Sequence, residues 1–183
     1  MKTIILHSLH PNNYLEFIIK SYPVEDYPSH SGITEKMIEL EHEDQFILKE
    51  PFGSIKYKGK GLFLAGGTGI TPFYALLKDL YFSDNIYDSI EGNRLIFSNS
   101  THNDLFLEDE LKDILGKKNV VFTLTKEEHT NYRYGKIDKD MIVKNNEDID
   151  YYYVCGPASF QEDIIQNLKD IGIGNEKIII ESW

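Results

Sequence analysis

Residues 59–82, GKGLFLAGGTGITPFYALLKDLYF, constrain the fold of this chain more than any other stretch. Leu62, Phe63, Leu64 and Ala65 form a short apolar run that stops at two glycines, the pattern of a buried strand. Beyond the glycines, Thr71 reads as a helix cap and Pro72 as a first helical residue, where a missing N–H costs nothing. Phe73, Leu76, Leu77, Leu80 and Tyr81 then recur at helical spacing and give that helix one apolar face. The expectation is a strand, a glycine turn and a helix in immediate succession.

Such a turn is a place for phosphate. Gly66, Gly67 and Gly69 permit positive φ and close approach of a ligand to the backbone, and the free N–H groups of the following helix favour an anion. No lysine follows the glycines as a Walker loop requires, which argues against a nucleoside triphosphatase. The spacing is G-x-G-x-x-P, with Pro72 where a common dinucleotide-binding turn carries its third glycine. A glycine-rich turn that holds no ligand accounts for the same residues when they are taken alone.

The rest of the composition narrows the function classes. A formal net charge of -11 argues against nucleic acid, anionic membrane surfaces and acidic redox carriers as partners, although Lys56, Lys58 and Lys60 form a local basic patch. No apolar run approaches the length of a membrane span, and the start of the chain has too short an apolar core for a signal peptide, which together imply a cytoplasmic protein. Cys155 is the single cysteine, so neither an internal disulfide nor a cysteine-ligated iron–sulfur cluster is available. The six histidines show no metal-ligand spacing, and no metal is expected.

Residues 1–58 read as β structure, with strands at 3–6, 15–20, 45–49 and 54–57 and a hairpin turn at 10–13. One helix interrupts them, at 34–40, with Thr34 as its cap. Residues 22–30 read as an exposed loop and the acidic residues 39–44 as a solvated turn. At 58 the pattern changes, and residues 59–183 alternate strand and helix: strands at 62–65, 94–98, 120–124, 151–155 and 177–181, helices after the glycine turn and at 107–115, 138–144 and 159–171. Alternation of this kind implies an α/β domain, a five-stranded parallel Rossmann-like sheet covered on both faces, with ligands outside the carboxyl ends of its strands. Three loops lie at those ends: 66–71, 98–103 and 155–159.

The third of these loops carries Cys155, Gly156 and Pro157, and the chain ends in Glu181, Ser182 and Trp183. The combination of G-G-x-G-I-T-P, C-G-P and a terminal aromatic residue closely resembles the ferredoxin-NADP reductase superfamily, especially its small bacterial flavodoxin or ferredoxin reductase-like members, over nearly the whole chain. The resemblance implies a partial antiparallel β-barrel of the flavin-binding type over residues 1–58 and an NAD(P)-binding domain over 59–183. It implies that Gly66, Gly67, Thr68, Gly69, Ile70, Thr71 and Pro72 hold the NAD(P)H pyrophosphate, and that Cys155, Gly156 and Pro157 lie beside the nicotinamide. It further implies that Trp183 covers the flavin ring until the nicotinamide displaces it, with Glu181 or Thr34 supporting charge or hydrogen bonding. Gly32, Ile33 and Thr34 are similar to the family's turn for the FAD pyrophosphate, with Ser31 in place of a common first glycine. Where a ribose-binding acid is common, this chain has Ser98, Asn99 and Ser100, while Lys126 and Arg133 stand where a 2′-phosphate would be met or serve as plain surface charges. The nucleotide is therefore read as NAD(P) without a choice between the two.

The departure is at the N-terminus. The Arg-x-Tyr/Phe-Ser/Thr motif with which family members grip the flavin ring would fall on residues 2–5, which read Lys2, Thr3, Ile4 and Ile5. This implies either a degenerate reductase or a true start upstream, and weak flavin affinity in either case. A half barrel leaves strand edges open, so pairing of residues 1–58 with a second copy is expected. Three functions follow: a flavin-dependent NAD(P)H oxidoreductase with an unknown electron acceptor, a nucleotide-binding module or electron-transfer subunit that lacks its own flavin, and a remnant that binds nothing redox-active.

Overall fold

A computed structural model of the 183-residue chain describes residues 5–9, 15–21, 24–25, 28–29, 32–45, 47, 53–83 and 89–181. The chain gathers into two compact units, Met1–Phe52 and Gly53–Trp183. In the first unit, strands β1 (Ile5–Leu9) and β2 (Leu15–Ile18) pair antiparallel, with a register shift between Leu6 and Ser8 that marks a bulge. This pair agrees with a partial barrel. The turn expected at 10–13 lies outside the described residues, as do 46 and 48–49 of the strand expected at 45–49. Helix α1 spans only Ile33–Ile38 and starts on Gly32 at φ 72°, without a side-chain cap. Thr34 is thus not the cap but a buried residue inside the first turn. Left-handed backbone suits glycine, and the chain reverses into the helix there, two residues earlier than the threonine suggests.

The second unit is a parallel sheet with helices on both faces. Its strands are β3 (Gly61–Gly66), β4 (Arg94–Asn99), β5 (Val120–Leu124), β6 (Arg133–Tyr134), β7 (Tyr151–Cys155) and β8 (Ile178–Ile180). All pairings are parallel, in the order β6-β5-β4-β3-β7-β8. The five expected strands are all present, and the two-residue β6 adds a sixth at the edge. The helices are α2 (Ile70–Phe82), α3 (Glu108–Leu115), α4 (Lys139–Lys144) and α5 (Ala158–Asp170). Asp138 caps α4 by accepting the Met141 N–H at 2.8 Å.

Every residue of β3 is buried, as a strand covered on both faces requires. Alternation sorts the core into two layers. Leu62, Leu64, Ile96, Tyr152 and Val154 face one layer with Met141, Ile142, Ile164 and Leu168 of α4 and α5. Phe63 and Phe97 face the other, where the Phe63 ring meets Phe73 of α2 at 5.1 Å and Phe97 meets Phe106 at 5.8 Å. Each side chain fully buried in this way contributes about 1.5–3 kcal/mol.

Residues 54–57 differ from the sequence reading. They form no strand among the described residues; their segment is held by side chains of the sheet instead. The Ser54 N–H donates to Glu181 Oε1 at 3.0 Å and the Lys58 N–H to the Tyr153 hydroxyl at 2.8 Å. Tyr153 in turn donates to the Gly59 carbonyl and stacks on Phe63 with ring centroids 4.4 Å apart. Among the described residues no helix is long and apolar enough to cross a membrane.

Candidate functional site

The strand order fixes where a ligand belongs. From β3 the chain builds outward through β4 and β5 on one side, then crosses back to place β7 and β8 on the other, so the order reverses between β3 and β7. Adjacent parallel strands whose following helices leave to opposite faces open a crevice at their carboxyl ends. Ala65 and Cys155 are partners in the register here, so the glycine turn and the C-G-P loop emerge side by side.

Three glycines lock these loops together. A Cβ on Gly69 would stand 2.3 Å from the Cys155 carbonyl oxygen and 2.7 Å from the Gly156 nitrogen, so only glycine allows the turn to press against that peptide. Gly66 and Gly156 both face the Phe160 ring, where a Cβ would approach to 2.9 and 2.6 Å. Gly67, at φ +54°, has nothing within 4 Å of its Cβ position. The turn is therefore closed on the Gly69 side and open on the Gly67 side, which leaves room for a ligand against its backbone.

The helix starts are arranged to match. Gly67–Gly69 form a 3-10 turn that runs into α2 with Gly69 at its start, and no side chain caps it. Thr71, expected as the cap, lies one residue inside the helix and donates its Oγ1 proton to the Thr68 carbonyl at 2.8 Å. The backbone of the glycine turn displaces it from the cap. Pro72 stands third in the helix, still among the positions whose N–H has no helical acceptor. Helix α5 begins after Pro157, again with no side-chain cap. Two thirteen-residue helices thus start at neighbouring strand ends with their positive dipole ends uncovered, a field that favours an anion.

Cys155 is 5% exposed at the end of β7. Burial, with the Glu181 carboxylate adding to it, pushes its thiol up to about 12. The group is a neutral S–H at physiological pH and not a thiolate nucleophile. Glu181, just after β8, is buried and accepts the Ser54 N–H, and its carboxylate lies near enough to Cys155 to act on the thiol. Trp183 lies outside the described residues.

A cleft of about 140 Å³ opens beside the start of α5, lined by Ser98, Thr125, Lys136, Pro157, Ser159 and Phe160 among others. Of the ribose-side expectations, Ser98 is in this cleft. Ser100 offers its carbonyl to the Lys126 N–H at 2.9 Å, and the Lys126 side chain is exposed and does not line the cleft. Arg133 sits on β6, away from it. Asn99 is buried at the end of β4, and among the described residues its Nδ2 finds no hydrogen-bond acceptor. Gly32, Ile33 and Thr34 lie in the first unit, Gly32 and Thr34 buried and Ile33 exposed. Sequence reasoning missed Phe160, Ser159 and Lys136. Phe160 had a visible signal in the glycines of both loops, which leave space for a ring; Lys136, paired with Asp163 at 2.6 Å, had none.

A family profile described as oxidoreductase NAD-binding domain matches residues 63–166. NADH-cytochrome b5 reductase 2 of Candida glabrata is 26% identical over 196 residues, covering 93% of this chain and 63% of that protein. The cytochrome b5 reductase domain of Ulva prolifera nitrate reductase superposes with a TM-score of 0.75 at 22% identity, over 91% of this chain and 72% of that one. A ferredoxin NADP+ reductase from Neisseria gonorrhoeae with bound FAD and NADP superposes with a TM-score of 0.63 at 20% identity, over 97% and 77%. At these identities the structural likeness concerns the fold alone. The chain spans less than two thirds of the length of the curated relatives it matches.

Proposed function

This chain belongs to the family of oxidoreductase NAD-binding domains, and on that premise we propose that it holds NADH or NADPH across the β3–β7 crevice as an NAD(P)H-dependent oxidoreductase. The observation that carries this reading is the Gly69 contact with the Cys155–Gly156 peptide, which sets two uncapped helix starts side by side around an open Gly67. In this reading Gly66, Gly67, Thr68 and Gly69 cradle the pyrophosphate, and one end of the dinucleotide runs into the cleft of Ser98, Thr125 and Pro157. The other end places the nicotinamide beside Cys155. There the neutral thiol offers a small, uncharged surface that positions the ring without competing for its hydride. Glu181 supplies a buried carboxylate next to it.

A flavin, where one is held, would supply the redox chemistry as hydride acceptor, while the residues of this chain would bind and orient the nicotinamide. The described residues fit the nicotinamide nucleotide better than the FAD pyrophosphate, because the Thr34 hydroxyl is buried inside a six-residue helix. That observation favours a second reading, a nucleotide module whose flavin is held elsewhere. The acceptor is an oxidant unnamed by this chain. Lys56 and Lys58 stay exposed to meet it, whereas Lys60 is ion-paired with Asp148. A single buried cysteine fits a reducing, cytoplasmic setting.

An anaerobic visible spectrum tests both readings. A flavin band that appears with FAD and bleaches with NADH or NADPH supports the reductase. Nucleotide binding without a flavin band supports the module, and failure to bind either nucleotide overturns both.

A further inference from the structure

The cleft beside the start of α5 has one cation and one anion in its wall, and they are turned on each other. Lys136 and Asp163 both line it, and their side chains meet at 2.6 Å. Among the described residues that line the cleft no other is charged; the remaining polar side chains are the hydroxyls of Ser98, Thr125 and Ser159.

The lysine hangs from a fixed rim. Gly135, just before it, gives its N–H to the Leu124 carbonyl at 2.8 Å and accepts the hydroxyl of the fully buried Thr123 at 2.5 Å. Its backbone is thereby tied to the carboxyl end of β5, while the side chain is 78% exposed and can swing. Asp163 stands on α5 with its side chain 51% exposed. An ion pair this open to water is weak, and a more highly charged anion can take the ammonium from it.

The two forms of the dinucleotide ask different things of such a wall. NADH presents a ribose diol, which doubly wound folds meet with a free carboxylate near the end of the second strand. Here that strand, β4, ends in Ser98 and Asn99, and Asp163 is engaged by Lys136. Glu127, in the loop after β5, is committed to the His102 N–H at 2.8 Å. NADPH presents a 2′-phosphate with close to two negative charges, for which an ammonium on a fixed rim is the matching group. At a net charge of -11 the molecule repels the more highly charged nucleotide more, so only a local cation can favour it. On the reading that the adenosine end of the dinucleotide enters this cleft, we propose that the Lys136–Asp163 pair selects NADPH over NADH. The 2′-phosphate takes Lys136 from Asp163, which holds the lysine at the cleft until the nucleotide arrives. Lys136 thus fills the role that the sequence marked for Lys126, whose side chain does not line the cleft.

Isothermal titration of the full chain with NADPH and with NADH reads the selection directly. NADPH should bind at least about tenfold more tightly, and added salt should narrow the gap. Lys136→Ala should lower the ratio of NADPH to NADH affinity by about tenfold, and Lys136→Arg should keep most of it. Asp163→Asn should raise the ratio by about two- to fivefold, because the lysine no longer has to be released. Both side chains are exposed, and an unchanged circular dichroism spectrum verifies that each variant folds. The parent protein gives a measurement that needs no variant: 2′-phospho-AMP should displace NADPH better than AMP does. NADH binding as tightly as NADPH, a ratio unmoved in Lys136→Ala, or a loss of NADH affinity in Asp163→Asn would each overturn the selection and leave the dinucleotide site in place. Binding of neither nucleotide would overturn both.

Discussion

Two helices in this protein start on a glycine followed closely by a threonine, and they differ in nearly everything else. α2 runs for thirteen residues with Ile70, Thr71, Phe73, Tyr74, Leu77 and Leu80 buried. α1 runs for six, with Ile33 56% and Ile38 69% exposed and Thr34 buried. At α2 the glycine excludes a side chain because a backbone lies against it; at α1 the nearest atom to an added Cβ is the Val24 side chain at 3.2 Å. A turn suited to phosphate is therefore more than a glycine before a helix. It needs a helix long enough to sum its peptide dipoles and a second loop that fixes the turn in place.

The sharpest way to break this comparison is Gly69→Ala. The new methyl would collide with the Cys155–Gly156 peptide, which cannot swing aside as a side chain can. A loss of about 3–5 kcal/mol is expected in urea unfolding, with nucleotide binding abolished. A stable variant that still binds NADPH would show that the two loops are not locked. Cys155 provides the next test. Its thiol rises from 9.0 to about 12 on folding, so the folded state retains a proton that the unfolded chain gives up. Stability is intact below pH 9 and should fall between pH 9 and about 12, by up to about 1.4 kcal/mol per pH unit. Cys155→Ala should flatten that part of the stability profile relative to the parent protein, and an unchanged profile would mean that the thiol is not buried as described.

Smaller effects separate the two helix starts further. Phe160→Ala removes the ring that faces Gly66 and Gly156 and should cost about 2 kcal/mol, with weaker nucleotide binding because the turn loses its backing. Gly32→Ala places a methyl at φ 72° for about 1 kcal/mol, and NADPH affinity should not change. A fall in affinity equal to that of Gly69→Ala would erase the distinction between the two turns.

The sequence was most informative where structure is local. β5 and β7 begin and end where their apolar runs do, and Asp138 caps α4 at the residue expected to open that helix. The glycine turn was legible because strand, glycines and helix follow within a few residues. What escaped was decided by distant parts of the chain. Thr71 and Thr34 look like caps, but the backbone before each had already turned into the helix. Residues 54–57 have strand composition, yet Tyr153 and Glu181, about a hundred residues further along, hold their segment by side-chain hydrogen bonds. The role of Phe160 shows only in combination, through glycines of two loops that the sheet order brings together.

The contact of Gly69 with the Cys155–Gly156 peptide also bears on how the chain acquires function as it is made. A ribosome that has released β3, the glycine turn and α2 has presented every residue of the G-x-G-x-x-P motif, but the surface that steadies it is still unsynthesised. Contacts between segments so far apart form late, after the loop between them has closed. Affinity for the dinucleotide is thus a property of the finished sheet, and the ligand selects chains in which β7 has docked beside β3, adding to their stability by mass action.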